Sequence, residues 1–411
     1  MIDHPDASPI MLANEDGPRP DIHILPSRDK RLRLGHPWVY SNEIQMNSAA
    51  AALSPGEIVR LIAPDGSTCL GIAIFNPHSL IAARRLSLEG GTPIDSNFFA
   101  KHLRRAIALR SRLYDRPFYR LIHAEADGLP GVVIDRFGDV VVVQANVAGM
   151  DRLLPGLAAA IDTVLAPRAV VLRNDSPMRA LEGLAVETLL MKGALDGPVA
   201  LEENGVTFFA DPLAGQKTGW FFDQRDNRAF IARLCGGARV LDLYTYHGGF
   251  AVQAACNGAE RVEAIDSSES ALLHAIHAAE VNGVVGRCQF RRADVFAELQ
   301  RLADASERFD VVIADPPPFA RAKKDVAAAS RAYRKLTRMA ARITARGGML
   351  LVSSCSHNID PGTFSDLVAG GLCDAQRQGR IIRQAGAGPD HPIHPLLPES
   401  AYLKAVVAQL D

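Results

Sequence analysis

The C-terminal half of the chain alternates short runs rich in β-branched residues with helical stretches, and this alternation constrains the fold more than any other feature. The runs are Val240–Leu243, Arg261–Asp266, Cys288–Arg292, Phe309–Ala314 and Met349–Ser353. The helical stretches between them end near glycine or asparagine, as at Gly258 and Asn282, which is typical of helix C-termini. Repeated strand–helix units favour a parallel sheet with helices on both faces. We therefore predict an α/β domain over residues 197–411.

The residues before this domain predict two smaller domains and an arm. Residues 21–92 contain short strands at close spacing around an Asp-Gly turn, which predicts a small β-barrel. Residues 93–196 predict an α+β domain. Its elements are a basic helix over 97–114, a hairpin around 137–139, a helix over 150–165 and a strand over 170–173. Residues 1–20 carry four acids and neither a basic nor an apolar segment, so we predict a disordered arm and no secretory signal.

Composition excludes several classes of protein. The 411 residues include 45 Lys and Arg against 46 Asp and Glu, a net charge of −1, which excludes a globally basic, histone-like binder. A hydrophobic content of 48% excludes a wholly disordered chain. We expect no membrane span, because no apolar run approaches 18 residues. The six cysteines are at least 18 residues apart, so we expect no metal site and a reducing, cytoplasmic location.

Acids stand at or just after four of the five strand ends, where an open parallel sheet binds its ligand. They are Asp242, Asp266, Asp294 and Asp315. The glycine-rich phosphate cradles GxGxxG and the P-loop are both absent, which argues against a dinucleotide or a nucleoside triphosphate. A ligand that is cationic and nucleoside-like fits better, and S-adenosylmethionine (SAM) has both properties.

The acids match the polar groups of SAM one by one. Asp242 would meet the positive amino group, Asp266 the two ribose hydroxyls and Asp294 the adenine amino group. One such acid alone is more often a helix N-cap or a turn residue, but four acids at the same edge of the sheet favour a bound ligand. Glycines would let the backbone approach the cofactor closely. The remaining candidates for cofactor binding are Gly248, Gly249, Tyr244, Gln224 and Asp315.

Several segments, in a fixed order, carry a family resemblance. The run VLDLYTYHGGFA at 240–251 and the DPPPF motif at 315–319 resemble class I methyltransferases. Three further segments are GHPWVYSNEI at 35–44, QKTGWFFDQRDNR at 216–228 and SCSH at 354–357. Together they resemble the RlmI family of bacterial 23S ribosomal RNA cytosine-5 methyltransferases, from about residue 21 onward.

The resemblance implies a fold, a cofactor and partners. It implies an N-terminal PUA domain that binds RNA, a central α+β domain and a C-terminal Rossmann-like class I methyltransferase domain that uses SAM. The partner implied is large-subunit ribosomal RNA, expected in a protein-poor or naked form. Members of the family often form homodimers.

Formation of 5-methylcytosine needs a cysteine, because cytosine C5 is a poor nucleophile until a thiolate adds to C6. Cys355 is the one cysteine predicted beyond the carboxyl end of a central strand. Asp315 would hold cytosine N3, and we expect His357 to pack rather than to activate the thiol. Many RNA cytosine-5 methyltransferases carry a second cysteine in an Asp-x-Pro-Cys motif, where this chain has Pro318. Either product release follows another route here, or the chemistry differs.

A basic stretch follows the DPPPF motif and predicts contact with RNA. Residues 320–346 hold nine basic residues and one acid, a local net charge of 9 − 1 = +8. The basic residues are Arg321, Lys323, Lys324, Arg331, Arg334, Lys335, Arg338, Arg342 and Arg346. Helical spacing of Leu336, Met339, Ala340 and Ile343 predicts the buried stripe of the same helix.

Five of the RNA-binding candidates lie in or beside this stretch: Phe319, Lys323, Lys324, Arg331 and Arg334. Phe319 would stack on the target base, and the four basic residues would meet the RNA backbone. In the small barrel, Arg31 and Trp38 are further candidates, because a basic run beside an aromatic residue suits a phosphate and a stacked base.

Two alternatives stay open. Asp-Pro-Pro-aromatic motifs also serve methylation of nitrogen, so an N-methyltransferase acting on a guanine or adenine of RNA is the nearest. A non-catalytic RNA-binding assembly factor that keeps the cofactor pocket is the second. A nicotinamide dehydrogenase is weaker than both, because GxGxxG is absent.

Overall fold

The computed structural model describes residues 18–320 and 322–411. Residues 1–17 of the predicted arm therefore lie outside the described residues. In the part of the chain that is described, no helix is both long and apolar enough to cross a membrane.

The first sheet forms the small barrel predicted for the N-terminal region. Its elements are β1 (Asp21–His23), α1 (Lys30–Leu34), β2 (Trp38–Val39), α2 (Ser48–Ala51), β3 (Glu57–Ile62), β4 (Cys69–Phe75) and β5 (Ala83–Ser87). The strand order is β1-β3-β4-β5-β2. Beyond the two edge strands, the Leu25 N–H donates to the Glu43 carbonyl (2.8 Å) and the Gln45 N–H to the His23 carbonyl (2.8 Å). These bonds join the two edges and close the sheet.

The second sheet lies in the predicted α+β region. Its elements are α3 (Ser96–Leu113), β6 (Phe118–His123), β7 (Val132–Phe137), β8 (Val140–Ala145), α4 (Ala148–Arg152), α5 (Leu154–Leu165), β9 (Ala169–Asn174) and β10 (Glu187–Lys192). The strand order is β10-β9-β8-β7-β6. The basic helix and the hairpin around Gly138 are confirmed. The single helix over 150–165 is wrong: it breaks at Leu153, because Pro155 cannot continue the hydrogen-bond pattern of α4.

A short hairpin that the sequence analysis did not predict follows the second sheet. Strands β11 (Val199–Glu203) and β12 (Val206–Ala210) are joined by Asn204 and Gly205, both in left-handed backbone conformations with φ of 52° and 78°. Asn-Gly between two apolar runs is a strong hairpin signal, so the sequence did carry the information. Phe208 of β12 packs in one cluster with Phe137 of the second sheet.

The third sheet is the α/β domain. Its elements are α6 (Arg225–Ala232), β13 (Arg239–Leu243), α7 (Gly249–Cys256), β14 (Arg261–Asp266), α8 (Glu269–Val281), β15 (Cys288–Arg292), α9 (Val295–Asp304), β16 (Phe309–Ala314), α10 (Val326–Ile343), β17 (Thr344–Ser354), α11 (Pro361–Asp374), β18 (Gly379–Ala385) and β19 (Lys404–Leu410). The strand order is β15-β14-β13-β16-β17-β19-β18. The five predicted strands are present and parallel to one another.

The prediction of a purely parallel sheet needs one correction. Strand β19 lies between β17 and β18 and runs antiparallel to both. The chain reaches β19 from the end of β18 without a crossover helix, so it returns in the opposite direction. The predicted stripe on α10 is confirmed, because Leu336, Met339, Ala340 and Ile343 are all buried.

Alternating side chains along β13 pack against the helices on opposite faces of the sheet. Leu241 and Leu243 pack in one cluster with α9, α10 and α11, whereas Val240 packs with α6 and α7. The barrel and the second sheet also share a cluster, which contains Ile58 and Leu121. The predicted domain boundaries stay predictions, although every sheet falls within one of the predicted ranges.

Candidate active site

The carboxyl ends of β13, β14, β16 and β17 border one cavity, and the segment 216–228 closes it from the other side. The lining residues are Gln216, Lys217, Trp220, Phe221, Asp223, Gln224, Arg228, Tyr244, Thr245, Tyr246, Gly249, Phe250, Asp266, Ser267, Asp315, Pro316, Pro317, Pro318, Cys355 and Leu403. Five of the predicted cofactor residues are therefore together on its walls: Tyr244, Gly249, Asp266, Asp315 and Gln224.

Asp242 lies fully buried near the end of β13, outside the residues that line this cavity, and keeps one oxygen unpaired. Its Oδ2 accepts hydrogen bonds from the Thr245 hydroxyl (2.6 Å) and the Ala251 N–H (3.0 Å). Its Oδ1 is buried and has no donor among the described residues. Burial raises the pKa of Asp242 to about 7. A buried acceptor without a donor is costly, so this oxygen suits the cationic amino group of SAM.

Asp266 is held rigidly at the end of β14. Its Oδ1 accepts from the Ser268 N–H (2.8 Å) and its Oδ2 from the Tyr246 N–H (2.9 Å). Each carboxylate oxygen can accept a second hydrogen bond, so the ribose hydroxyls of SAM would still find acceptors here. Tyr244 and Tyr246 have φ of 64° and 51°, a left-handed conformation that aromatic residues adopt at a cost. Both line the cavity, so the loop after β13 stores strain at the site.

The two glycines of this loop approach protein groups closely. Gly248 has φ of 77°, and a Cβ there would lie 2.9 Å from the Cβ of Ala275 on α8. A Cβ on Gly249 would lie 2.6 Å from Arg228 Nε. Of the two, Gly249 is the one that also lines the cavity.

Asp294 lies outside the cavity walls, at the start of α9. Its Oδ1 accepts from the Ala297 N–H (2.9 Å), so it is a helix N-cap. Its charge nevertheless reaches Tyr244, whose pKa is raised mainly by burial and further by Asp294. Asp294 is therefore near the cofactor side of the cavity without bordering it.

Cys355 and Asp315 follow the neighbouring strands β17 and β16, and both line the cavity. Burial raises the pKa of the Cys355 thiol to about 11, and the positive charges of Lys217 and Lys404 oppose this shift. Lys404 itself is buried, donates to the Ser356 carbonyl (2.6 Å) and the Tyr402 carbonyl (2.8 Å), and has a pKa lowered to about 8 by burial.

Asp315 shares the cavity with a second carboxylate, Asp223. Gln224 Nε2 donates to Asp315 Oδ1 at 2.8 Å. Burial, and then the charge of Asp223, raise the pKa of Asp315 to about 7. Asp315 can therefore donate a proton near neutral pH, as the predicted contact with cytosine N3 requires.

Two residues of the segment 216–228 that line the cavity, Lys217 and Asp223, were not predicted from the sequence. The buried Asp223 Oδ2 accepts from the Tyr402 hydroxyl (2.5 Å) and lies 3.9 Å from Lys217 Nζ. Burial would raise the pKa of Asp223, but the charges of Lys217 and His391 and the Tyr402 hydroxyl outweigh it and lower the pKa to about 2. Lys217 has a left-handed backbone, with φ of 51°. Its Nζ lies 4.4 Å from the centre of the Phe221 ring.

Residues 386–402, which we call the bridging segment, connect the cavity to the rest of the molecule. Asp390 Oδ2 accepts from the Arg120 N–H (3.0 Å), and the Asp390 carbonyl accepts from Arg110 Nη2 (2.9 Å). The Gly388 N–H donates to the Asp223 carbonyl (3.2 Å). The Tyr402 ring stacks on His357 with centroids 5.1 Å apart, which agrees with the packing role expected of that histidine.

The RNA-binding candidates of the barrel are engaged with protein groups. Trp38 Nε1 donates to Glu125 Oε1 (2.7 Å), and the Arg84 guanidinium lies 5.3 Å from the centre of its ring. Arg31 forms an ion pair with Glu43 (2.8 Å), and its side chain is 45% exposed. Trp38 therefore joins the barrel to the second sheet, while Arg31 keeps an exposed charge.

The basic helix α10 begins near the cavity and leads away from it. Its 18 residues span about 27 Å, so only its first turns lie beside the DPPPF loop. Not all of the basic stretch therefore lies beside this loop. Arg342 and Arg346 lie at the opposite edge of the sheet, where β17 begins.

The remaining candidates of this stretch differ in their contacts. Lys323, Lys324 and Arg331 are exposed. Arg334 forms two hydrogen bonds with Asp374 (2.6 and 2.7 Å), and the Phe319 ring packs on Tyr333 with centroids 4.7 Å apart. Arg321 lies outside the described residues.

Comparison with known proteins places this site in a family. Residues 149–380 match the family model described as S-adenosylmethionine-dependent methyltransferase, and residues 22–88 match that of a PUA-like domain. Ribosomal RNA large subunit methyltransferase I of Shewanella denitrificans is 36% identical over 95% of this chain and 99% of the relative. The protein of the same name from Photobacterium profundum is 38% identical over 93% of this chain and 97% of the relative.

Two solved structures share the fold. A candidate SAM-dependent methyltransferase from Streptococcus mutans superposes with a TM-score of 0.80 at 20% identity, over 95% of this chain and 100% of that chain. A candidate methyltransferase in complex with SAH gives a TM-score of 0.81 at 21% identity, over the same shares. These likenesses support the fold. The matching domains and the relatives at 36–38% identity show that the chain belongs to the ribosomal RNA large subunit methyltransferase I family, whose members use SAM.

Proposed function

We propose that this protein transfers a methyl group from SAM to C5 of a cytosine in large-subunit ribosomal RNA, through a covalent bond between Cys355 Sγ and cytosine C6. The observation that carries the proposal is that Cys355 and Asp315 share one cavity with the cofactor residues of β13 and β14. The names of the curated relatives and the PUA-like domain support ribosomal RNA as the substrate.

The cofactor side of the cavity would hold SAM, which supplies an electrophilic methyl group on a sulfonium. Asp242 would accept from its amino group and Asp266 from its ribose hydroxyls. Tyr244, Gly249 and Gln224 would complete its surroundings. Gly248 would act by shaping the loop, and Asp294 would lie toward the adenine.

The catalytic side would activate the base. The Cys355 thiolate forms the S–C6 bond, the C5=C6 π pair moves to C5, and a protonated Asp315 stabilises the change at N3. C5 then takes the methyl group, and the bond from that methyl to the sulfonium sulfur breaks with its electron pair staying on the sulfur. The C5 proton passes to water, its bonding pair restores the C5=C6 bond, and the S–C6 bond breaks with its electron pair returning to the Cys355 sulfur. Pro318 occupies the position of the second cysteine of related enzymes, so release must proceed without that thiol.

RNA would reach the cavity along the start of α10. Lys323, Lys324 and Arg331 are the exposed charges best placed for the backbone, and Arg31 offers one on the barrel. Arg334 is hydrogen-bonded to Asp374, and the Phe319 ring packs on Tyr333. We therefore assign Arg334 and Phe319 a smaller part in RNA binding. The target base must leave its stack to reach Cys355, which favours protein-poor RNA as the substrate.

Nucleoside mass spectrometry tests the proposal. Wild type, Cys355→Ala and the control Cys373→Ala, whose cysteine is exposed on α11, would be incubated with unmodified ribosomal RNA and methyl-labelled SAM. We expect labelled 5-methylcytidine from wild type and Cys373→Ala, and none from Cys355→Ala. Labelled N-methyl nucleosides made equally by all three proteins would establish the N-methyltransferase instead. RNA binding without any label would favour the assembly factor.

A further inference from the structure

Helix α3 carries a concentration of positive charge that the proposed reaction does not use. Its 18 residues include five basic residues and no acid, in a chain of net charge −1. Arg110 is buried and donates to both carboxylate oxygens of Asp127 (2.6 and 2.8 Å). The other four are exposed: Lys101, Arg104, Arg105 and Arg112. We call these four residues the α3 basic face.

The α3 basic face contributes nothing visible to the fold. Within residues 18–320 and 322–411, none of its four side chains forms a salt bridge or hydrogen bond. Lys101 is spaced three and four residues from Arg104 and Arg105, a spacing at which like charges repel on a helix. The opposite side of α3 packs into the core through Phe99 and Leu103. Arg112 lies in the last turn, where the helix dipole favours a cation, but Lys101, Arg104 and Arg105 gain nothing from the dipole and repel one another. Their charge is therefore available to an external partner.

The C-terminal end of α3 contacts two segments that neighbour the cavity without lining it itself. Arg110 donates to the carbonyl of Asp390 in the bridging segment. The Arg225 guanidinium lies 4.1 Å from the centre of the Tyr114 ring, directly after α3. Arg225 follows Gln224, which lines the cavity. The contact with the bridging segment is made by the buried side of α3, and the α3 basic face points outward on the other side of the helix.

Helix α10 provides the counterpart on the catalytic sheet. It also has 18 residues, five basic residues and no acid, and it starts beside the DPPPF loop. The two helices that lack acids and carry most positive charge thus belong to different sheets, and α10 is the one that starts beside the cavity. A protein partner is less suitable for α3, because Leu109 and Leu113, 42% and 39% exposed, offer far less apolar area than an interface of about 800 Å² per partner.

We propose that the α3 basic face binds the phosphate backbone of the RNA whose target base occupies the cavity. The inference rests on the proposed function only in that the substrate is RNA. Arginine suits this role because its guanidinium pairs with phosphate through two parallel hydrogen bonds. Together with the start of α10, the face would give the RNA a second contact, outside the cavity.

Salt-dependent binding to a fragment of 23S ribosomal RNA tests the inference. We would compare the full chain with Arg105→Gln/Arg112→Gln and with the control Arg342→Gln/Arg346→Gln, which removes two exposed charges at the far edge of the sheet. Glutamine has nearly the helix propensity of arginine, so both variants should fold. We expect the α3 variant to bind roughly tenfold more weakly at about 0.1 M salt, with a log–log salt slope about 1.4 smaller. The control should match wild type within about twofold.

Equal binding by wild type and the α3 variant would overturn the inference, and so would equal losses in both variants. Methyl transfer to a short oligonucleotide that fills only the cavity should be unaffected by the α3 variant, while KM for the long fragment rises. Transfer to a nucleoside other than cytidine, with the α3 variant still weakened, would overturn the proposed function alone.

Discussion

The two sides of the cavity are built on different physical principles. On the cofactor side, Asp242 and Asp266 are fixed by N–H and hydroxyl groups of the loop after β13, of α7 and of Ser268. On the catalytic side, Cys355, Asp315 and Asp223 influence one another through their charges. Local loop geometry therefore sets the first side, and mutual electrostatics sets the second. Substitutions on the cofactor side should change affinity, whereas those on the catalytic side should change turnover and its pH dependence.

The largest expected effect separates turnover from cofactor binding. Cys355→Ala removes the nucleophile, so kcat for methyl transfer should fall by on the order of a thousandfold or more. The Kd for SAM, measured by calorimetry, should stay within about twofold of wild type, because Asp242 and Asp266 are untouched. A large loss of SAM affinity would show that the two sides are not independent.

Asp242→Asn should affect affinity instead. The amide retains an acceptor for Thr245 and Ala251 but loses the charge available to a cationic amino group. Because a hydrogen bond to a charged group contributes about 1.5–3 kcal/mol, SAM binding should weaken by roughly tenfold to a hundredfold. Calorimetry with Asp360→Asn, a change at the N-cap of α11, provides the matched control. Unchanged affinity would contradict the role assigned to Asp242.

Lys217→Met should raise the pKa of the Cys355 thiol and so shift the pH dependence of its reactivity. A nearby positive charge favours the thiolate, so removing it should raise the pKa of Cys355 further. The thiolate fraction at pH 9, and with it the rate of iodoacetamide alkylation of Cys355, should fall by about threefold to tenfold. Mass spectrometry of the Cys355 peptide would measure that rate. Lys217→Arg should restore it, and Lys324→Met should leave it unchanged; a fall in the Lys324 variant would point to a general surface-charge effect.

The smallest expected effect concerns Asp294. Asp294→Ala removes the N-cap of α9, which should lower the free energy of unfolding by about 1 kcal/mol in a urea titration. Asp294→Asn should preserve the cap. If the Asn variant is stable yet binds SAM less tightly, Asp294 also contacts the cofactor. If its affinity is normal, Asp294 is a structural residue only.

The sequence predicted five of the seven strands of the third sheet, because their patterns are local. It also placed Cys355 and Asp315 together, since the carboxyl ends of parallel strands share one edge of a sheet. Strands β18 and β19 were missed, because no local pattern sets an antiparallel strand between two others. Lys217 and Asp223 were missed for a related reason: they reach Cys355 only through tertiary folding across more than 130 residues of sequence.

Trp38 also has a contact that could not be predicted from neighbouring residues. A basic run beside an aromatic residue predicted a surface for RNA, but the partner of the indole N–H is Glu125, 87 residues away in sequence. A pattern of neighbouring residues cannot reveal such a contact. Local patterns were not always enough either, because the Asn204–Gly205 hairpin was missed and the predicted helix over 150–165 breaks at Leu153.

The bridging segment also has a consequence for how the protein is made. Chains are synthesised from the N-terminus and their domains generally fold in that order, so the barrel and the second sheet should be in place before residues 386–402 leave the ribosome. Until then, Arg110 and Arg120 lack their partner Asp390, and Asp223 lacks its partner Tyr402. A nascent chain long enough to contain Cys355 still lacks the groups that tie down the catalytic side of the cavity. We therefore expect the enzyme to become competent only after residues 386–402 have been synthesised and have packed against the rest of the protein.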